Sequence, residues 1–166
     1  MKRVRQNREL WYIPPALPAE AAFECRMCGA RLTAPLRRLD DAAALCETEL
    51  APLVPQGHYW PVAVGHPRAE YALQNTPVLV TDFTGHFAVR PEALTSVGRH
   101  PDRARWFGCC GPSGLGGPNR VCACGQEVGT DRADCLYAVA VYLDPQSVRA
   151  VKPDAGPGVA ADRGGT

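Results

Sequence analysis

Seven of the eight cysteines fall into two groups far apart in the sequence: Cys25 and Cys28 in FECRMCGARL, then Cys109, Cys110, Cys122, Cys124 and Cys135 in WFGCCGPSGLGGPNRVCACGQEVGTDRADC. Soft thiolates are good ligands for Zn2+, and a separation of about two to four residues lets one tight turn present two of them to the same ion. Cys25 and Cys28 have that spacing, while Cys122 and Cys124 sit one residue closer. In each pair the second cysteine is followed by a glycine, Gly29 or Gly125. Glycine lets the backbone curl without a Cβ clash so that its N–H groups point at a thiolate. The expected centre is one structural Zn2+ between two facing knuckles, held by Cys25, Cys28, Cys122 and Cys124. The remaining thiols leave other sets open. Cys109 or Cys110 could replace Cys122, or Cys109, Cys110 and Cys135, with His100, could hold a second metal.

Other residues offer weaker chemistry. A thioredoxin-type redox pair needs its C-x-x-C at a helix N-terminus, whereas Gly29 follows Cys28 and Pro35 interrupts any helix soon after. A thiol-dependent enzyme would need Cys109 or Cys110 left off the metal with a depressed pKa. The stretch GPSGLGG (111–117) lacks the Lys-Ser/Thr ending of a phosphate loop. It is expected to be a flexible connector that lets the vicinal cysteines and the second knuckle reach one metal. His58, His66, His86 and His100 are scattered. Asp82, Asp131 and Asp134 sit near glycines and strand ends, where carboxylates cap and turn. Lys2, Arg3, Arg5 and Arg8 beside Trp11 and Tyr12 would suit phosphates and stacked bases, but a solvated arm explains the same residues. Nucleic acid is therefore not the favoured partner.

The elements that must position the thiols are short. Sixteen Gly and sixteen Pro in 166 residues imply many turns and few long helices, and aromatics at 7% imply a thin core that a metal cross-link would supplement. A net charge of +1 argues against a strongly electrostatic nucleic-acid binder. With no apolar stretch of signal or membrane-spanning length, a soluble cytoplasmic chain is expected, whose thiols are reduced or on metal.

Along the chain, residues 1–20 read as a flexible basic, proline-rich arm, 21–150 as the zinc-binding domain and 151–166 as a disordered tail. A brief helix is expected after Asp40 as N-cap, and a one-to-two-turn helix at PEALTSV (91–97). GRHPDRARWFG is expected to be a loop. HYWPVAVG (58–65), with Pro61 marking an edge or a strand start, and TPVLVTDF (76–83), paired with GHFAVR (85–90) across Thr84-Gly85, read as strands. DRADC (131–135) is expected to make one helical turn capped by Asp131. LYAVAVYLDP (136–145) is the clearest strand, apolar on both faces and therefore buried.

The cysteine segments resemble those of an uncharacterised group of bacterial proteins with a CxxCG…GCCG…GPNxVCxCG pattern. The resemblance runs through residues 23–39, 53–60, 108–135 and 141–145 and implies no activity. Through its two Cys-Gly knuckles the chain is also similar to zinc ribbons, from which the Cys122-x-Cys124 spacing departs. Taken together, the expectation is a small, β-rich α+β domain closed by a zinc-ribbon-like site. It would act as a binding module with an unidentified, protein-type partner rather than as an enzyme.

Overall fold

The computed structural model describes residues 16–62 and 83–153. Within them the chain is mostly strand: β1 (Glu20–Cys25), β2 (Leu36–Arg38), β3 (His58–Pro61), β4 (Phe87–Val89), β5 (Val97–Arg99), β6 (Arg120–Cys122), β7 (Glu127–Arg132), β8 (Ala140–Leu143) and β9 (Val148–Val151). The helical elements among the described residues are 3-10 turns at Ala42–Ala44, Pro91–Ala93 and Arg103–Trp106. The α part of the expected α+β class therefore shrinks to single turns. Asp41, not Asp40, caps the first by accepting the Ala43 N–H, while Asp40 pairs with Arg38 at 2.6 Å.

The strands form one mixed sheet in the order β5-β6-β7-β8-β4-β3-β2-β1-β9, in which β2–β3 is the parallel pair. In a flat sheet the six steps from β6 to β1 would span about 29 Å. Yet the Sγ atoms of Cys25, which ends β1, and Cys124, just beyond β6, lie 3.7 Å apart. The sheet is therefore rolled until its two sides meet. Its inner face carries Phe23, Tyr59, Phe87, Val89, Val128, Val141, Leu143 and Val148. Phe23 meets Tyr59 edge-on at 5.2 Å between ring centroids. Alternate residues of the same strands, Trp60, Ala88 and Tyr142, face outward against Leu53, Val54 and Phe83. This second cluster is why β8 is apolar on both faces.

Several expectations change. Pro61 ends β3 instead of starting it: it sits opposite Phe87 of β4, and because the β2–β3 register stops at Arg38↔Tyr59 it is paired on that one side only. Both sides of β4 are taken by β3 and β8, and the Gly85 turn bonds back to Val62. The strand expected at 76–83 lies, apart from Phe83, outside the described residues, as do His66, Asp82, the basic residues of the arm and the tail from 154. Asp131 caps no helix. It lies in β7, buried, and accepts from Arg120 at 2.5 Å. The loop expected after Val97 contains β5 and a 3-10 turn instead. At the ends, the Tyr59 hydroxyl donates to Pro18 O at 2.6 Å, Arg38 donates to Leu17 O, and Val151 pairs with Ala22. Both margins of the domain are thus tied into the sheet.

Candidate metal centre

The two knuckles are hairpin tips of similar build. At the first, Cys25 N–H donates to Ala30 O and Cys25 O accepts from Gly29 N–H, both at 2.9 Å. At the second, Cys122 N–H donates to Gln126 O at 2.9 Å and Cys122 O accepts from Gly125 N–H at 2.8 Å. The second turn is one residue shorter, which accounts for its C-x-C spacing. Gly29 and Gly125 both have positive φ, as a tip this tight requires.

Because the sheet is rolled, the two tips face each other. The Sγ atoms of Cys25, Cys28, Cys122 and Cys124 all lie within 4.8 Å of one another. Cys25 and Cys124 approach to 3.7 Å and Cys28 and Cys122 to 3.5 Å. A disulfide would need about 2.05 Å, whereas the edge of a tetrahedron of sulfurs around zinc at about 2.3 Å is roughly 3.8 Å. The donor set therefore fits a tetrahedral thiophilic ion. Cys25 and Cys122 belong to the inner core, while Cys28 and Cys124 are exposed. Without a cation, burial above all pushes the Cys122 thiol up to about 12, with the neighbouring thiols of Cys28, Cys124 and Cys25 adding to the rise against a lowering bond from the Cys124 amide. The thiol then keeps its proton at neutral pH, so an ion must displace it.

The turn joining β8 to β9 fills the seam between the tips. Arg26 N–H donates to Ser147 O at 2.9 Å and Arg26 Nε to Val148 O at 2.8 Å. Gln126 Nε2 donates to Ser147 Oγ at 3.3 Å, and Asp144 N–H to Val128 O at 3.0 Å.

Cys109, Cys110 and Cys135 do not join this group. They gather elsewhere with Asp134, their ligand atoms again within 4.8 Å of one another. Loop 111–119 thus separates the vicinal cysteines from the second knuckle instead of delivering both to one ion. It is also pinned: Asn119 is fully buried, accepts Asp131 N–H at 2.6 Å and donates to Asp131 O at 3.0 Å. His100, which one of the open ligand sets adds to these thiols, instead accepts Asp102 N–H at Nδ1 and faces Glu127 through Nε2 at 3.2 Å. Asp134 takes its place. The only signal for Asp134 in the sequence is its adjacency to Cys135, and a carboxylate that merely caps a turn gives the same signal. Burial pushes the Asp134 carboxyl up, but hydrogen bonds from Cys135, Cys109 and Cys110 outweigh this and hold it below its ordinary value. The same Asp134 bond, followed by that with Cys110, pushes the metal-free Cys135 thiol up to about 12.

Among the described residues no helix is long and apolar enough to cross a membrane. No protein-family model, no curated protein and no solved structure matches this chain.

Proposed function

We infer that this chain is a metal-binding domain in which Cys25, Cys28, Cys122 and Cys124 hold one structural Zn2+ in a zinc-ribbon-like arrangement, and that it works as an interaction module rather than as a catalyst. The observation that carries this is the convergence of four thiols from two glycine-ended hairpin tips, at opposite sides of a rolled sheet, to within 4.8 Å. An all-sulfur tetrahedral set suits zinc or iron, and a site closed by four protein ligands is the structural form. The interaction reading is supported by large apolar side chains exposed beside the thiols: Met27 between the first two cysteines, and Phe107 and Leu136 next to the second group.

The test is metal analysis of protein purified under reducing conditions without chelator, alongside Cys25→Ser and Cys122→Ser. Zinc is expected in the wild type and lost from the four-thiol site in either variant. Such sites supply on the order of 10 kcal/mol in small zinc domains that have no other core, and less where a core persists as it does here, so the variants should melt lower while the strands at the middle of the sheet survive. Wild-type protein found metal-free yet melting cooperatively would sink the reading, and iron in place of zinc would correct the ion.

A further inference from the structure

The second group of thiols is built differently from the first. Asp134 is buried at its centre and ties three backbone amides together: Cys135 N–H and Cys110 N–H donate to Oδ1 at 2.6 and 3.4 Å, and Cys109 N–H donates to Oδ2 at 3.3 Å. Around it, Ala133 N–H donates to Pro112 O at 2.8 Å and Ser113 N–H to Phe107 O at 2.9 Å. The glycines flanking the vicinal pair make this approach possible. A Cβ on Gly108 would lie 1.8 Å from Gly111 O, and one on Gly111 would lie 2.5 Å from Ala133 O. The two loops are thus held together by their own backbone.

The result is three thiols gathered within 4.8 Å of one another and of a fixed carboxylate, with Cys109 and Cys110 exposed and their Sγ atoms 3.9 Å apart, again close to the edge of a tetrahedron of zinc-bound sulfurs, about 3.8 Å. Each carboxylate oxygen has two lone pairs. Oδ1 spends both on amides and Oδ2 one, so the carboxylate's last acceptor position opens to an ion once the Cys135 thiol, which bonds this carboxylate in the metal-free protein, gives up its proton.

We propose that Cys109, Cys110 and Cys135, with Asp134 Oδ2 as adjoining oxygen donor, form a second, solvent-facing centre for a thiophilic divalent cation such as Zn2+, assembled by the fold whether or not the ion is bound. As each sulfur–metal bond forms, the thiol's proton passes to solvent and the metal gives up a water. Three strong donors and one partly committed oxygen leave the ion open to exchange, in contrast to the closed four-thiol set. The centre stands independently of the four-thiol reading.

The full-length protein, stripped and then reloaded with Zn2+, is assayed for zinc per chain, and each cysteine is ranked by its iodoacetamide alkylation rate with and without the metal. Cys46 is exposed and belongs to neither group, so its rate should be the same in both states. Two ions per chain are expected, with Cys109 and Cys110 slowed roughly tenfold or more by zinc despite their exposure. A chelator should deprotect Cys109, Cys110 and Cys135 before the four-thiol group, with the far-ultraviolet spectrum retained. Cys110→Ser should lower the count by one and leave Cys25, Cys28, Cys122 and Cys124 protected. If that variant does not fold, the wild-type alkylation map decides. Overturning results are Cys109, Cys110 and Cys135 reacting at the same rate with and without zinc while the first group is protected, or a disulfide among the three in protein prepared with reductant. Zinc protecting only these three would uphold this centre and overturn the structural-zinc reading, and protection at neither group would overturn both.

Discussion

At the knuckle tips Gly29 and Gly125 take φ of +74° and +90°, and a Cβ on either would meet nothing within 4 Å. What these positions demand is conformation, and an L-residue held in that region costs about 1–2 kcal/mol. Gly129 in β7 has the opposite character. Its φ is ordinary, but a Cβ there would lie 2.7 Å from Tyr142 O and 3.2 Å from Leu143 Cα in the neighbouring strand. Gly129→Ala must therefore push β7 off β8, whereas Gly125→Ala strains only a turn. By denaturant unfolding in saturating zinc, Gly125→Ala should lose about 1–2 kcal/mol and Gly129→Ala distinctly more; the reverse order would mean that the knuckle is the more crowded of the two. The four knuckle cysteines were legible in the sequence because each pair and its glycine occupy one turn. Asp134 was not, because its role depends on loops twenty-odd residues apart, and a carboxylate beside a turn looks the same whether it caps or ligates.

At the scale of elements, β8 was legible because burial on both faces leaves a continuous apolar run. β1, EAAFEC, places glutamates at the ends of its buried stretch, and β5, β6 and β9 have three or four residues each, too few for a period of two to declare itself. Their pairing is also non-local: β9 pairs with β1 through Val148↔Cys25 and Val151↔Ala22, partners more than a hundred residues away in sequence. This makes β9 the element whose removal is most informative. Val148 is fully buried in the inner core, and Arg149 reaches Glu24 at 3.0 Å. Ending the chain after Pro153 leaves every described pair in place and should leave the melting transition unchanged. Ending it after Ser147 exposes the outer side of β1 and removes Val148, worth about 2 kcal/mol by burial alone, so Tm should fall by roughly 4–8 °C or more. Equal melting of the two truncations would show that β9 contributes nothing to the sheet's stability.

Over the whole molecule, the four-thiol group sits where the rolled sheet closes, with β1 on one side and the β6–β7 hairpin on the other. Cys25 and Cys124 are 99 residues apart, and tying a loop of about that length removes up to roughly 4.7 kcal/mol of unfolded-chain entropy in the cross-link picture. An ion held here would act on the closure of the sheet as much as on the two turns. The contacts of the β8–β9 turn with Arg26, Gln126 and Val128 hold the same seam without metal. Chelation should therefore loosen the seam without erasing the strands at the middle of the sheet. Native-state hydrogen exchange on zinc-loaded and chelated protein checks this. Amides of β1, β9, β6 and β7 should speed up together on zinc removal, while those of β4 and β8, flanked on both sides by other strands, keep most of their protection. Faster exchange confined to residues 25–30 and 122–126 would instead make the ion a clip on two turns, and the rolled sheet would owe its closure to its hydrogen bonds and inner core alone.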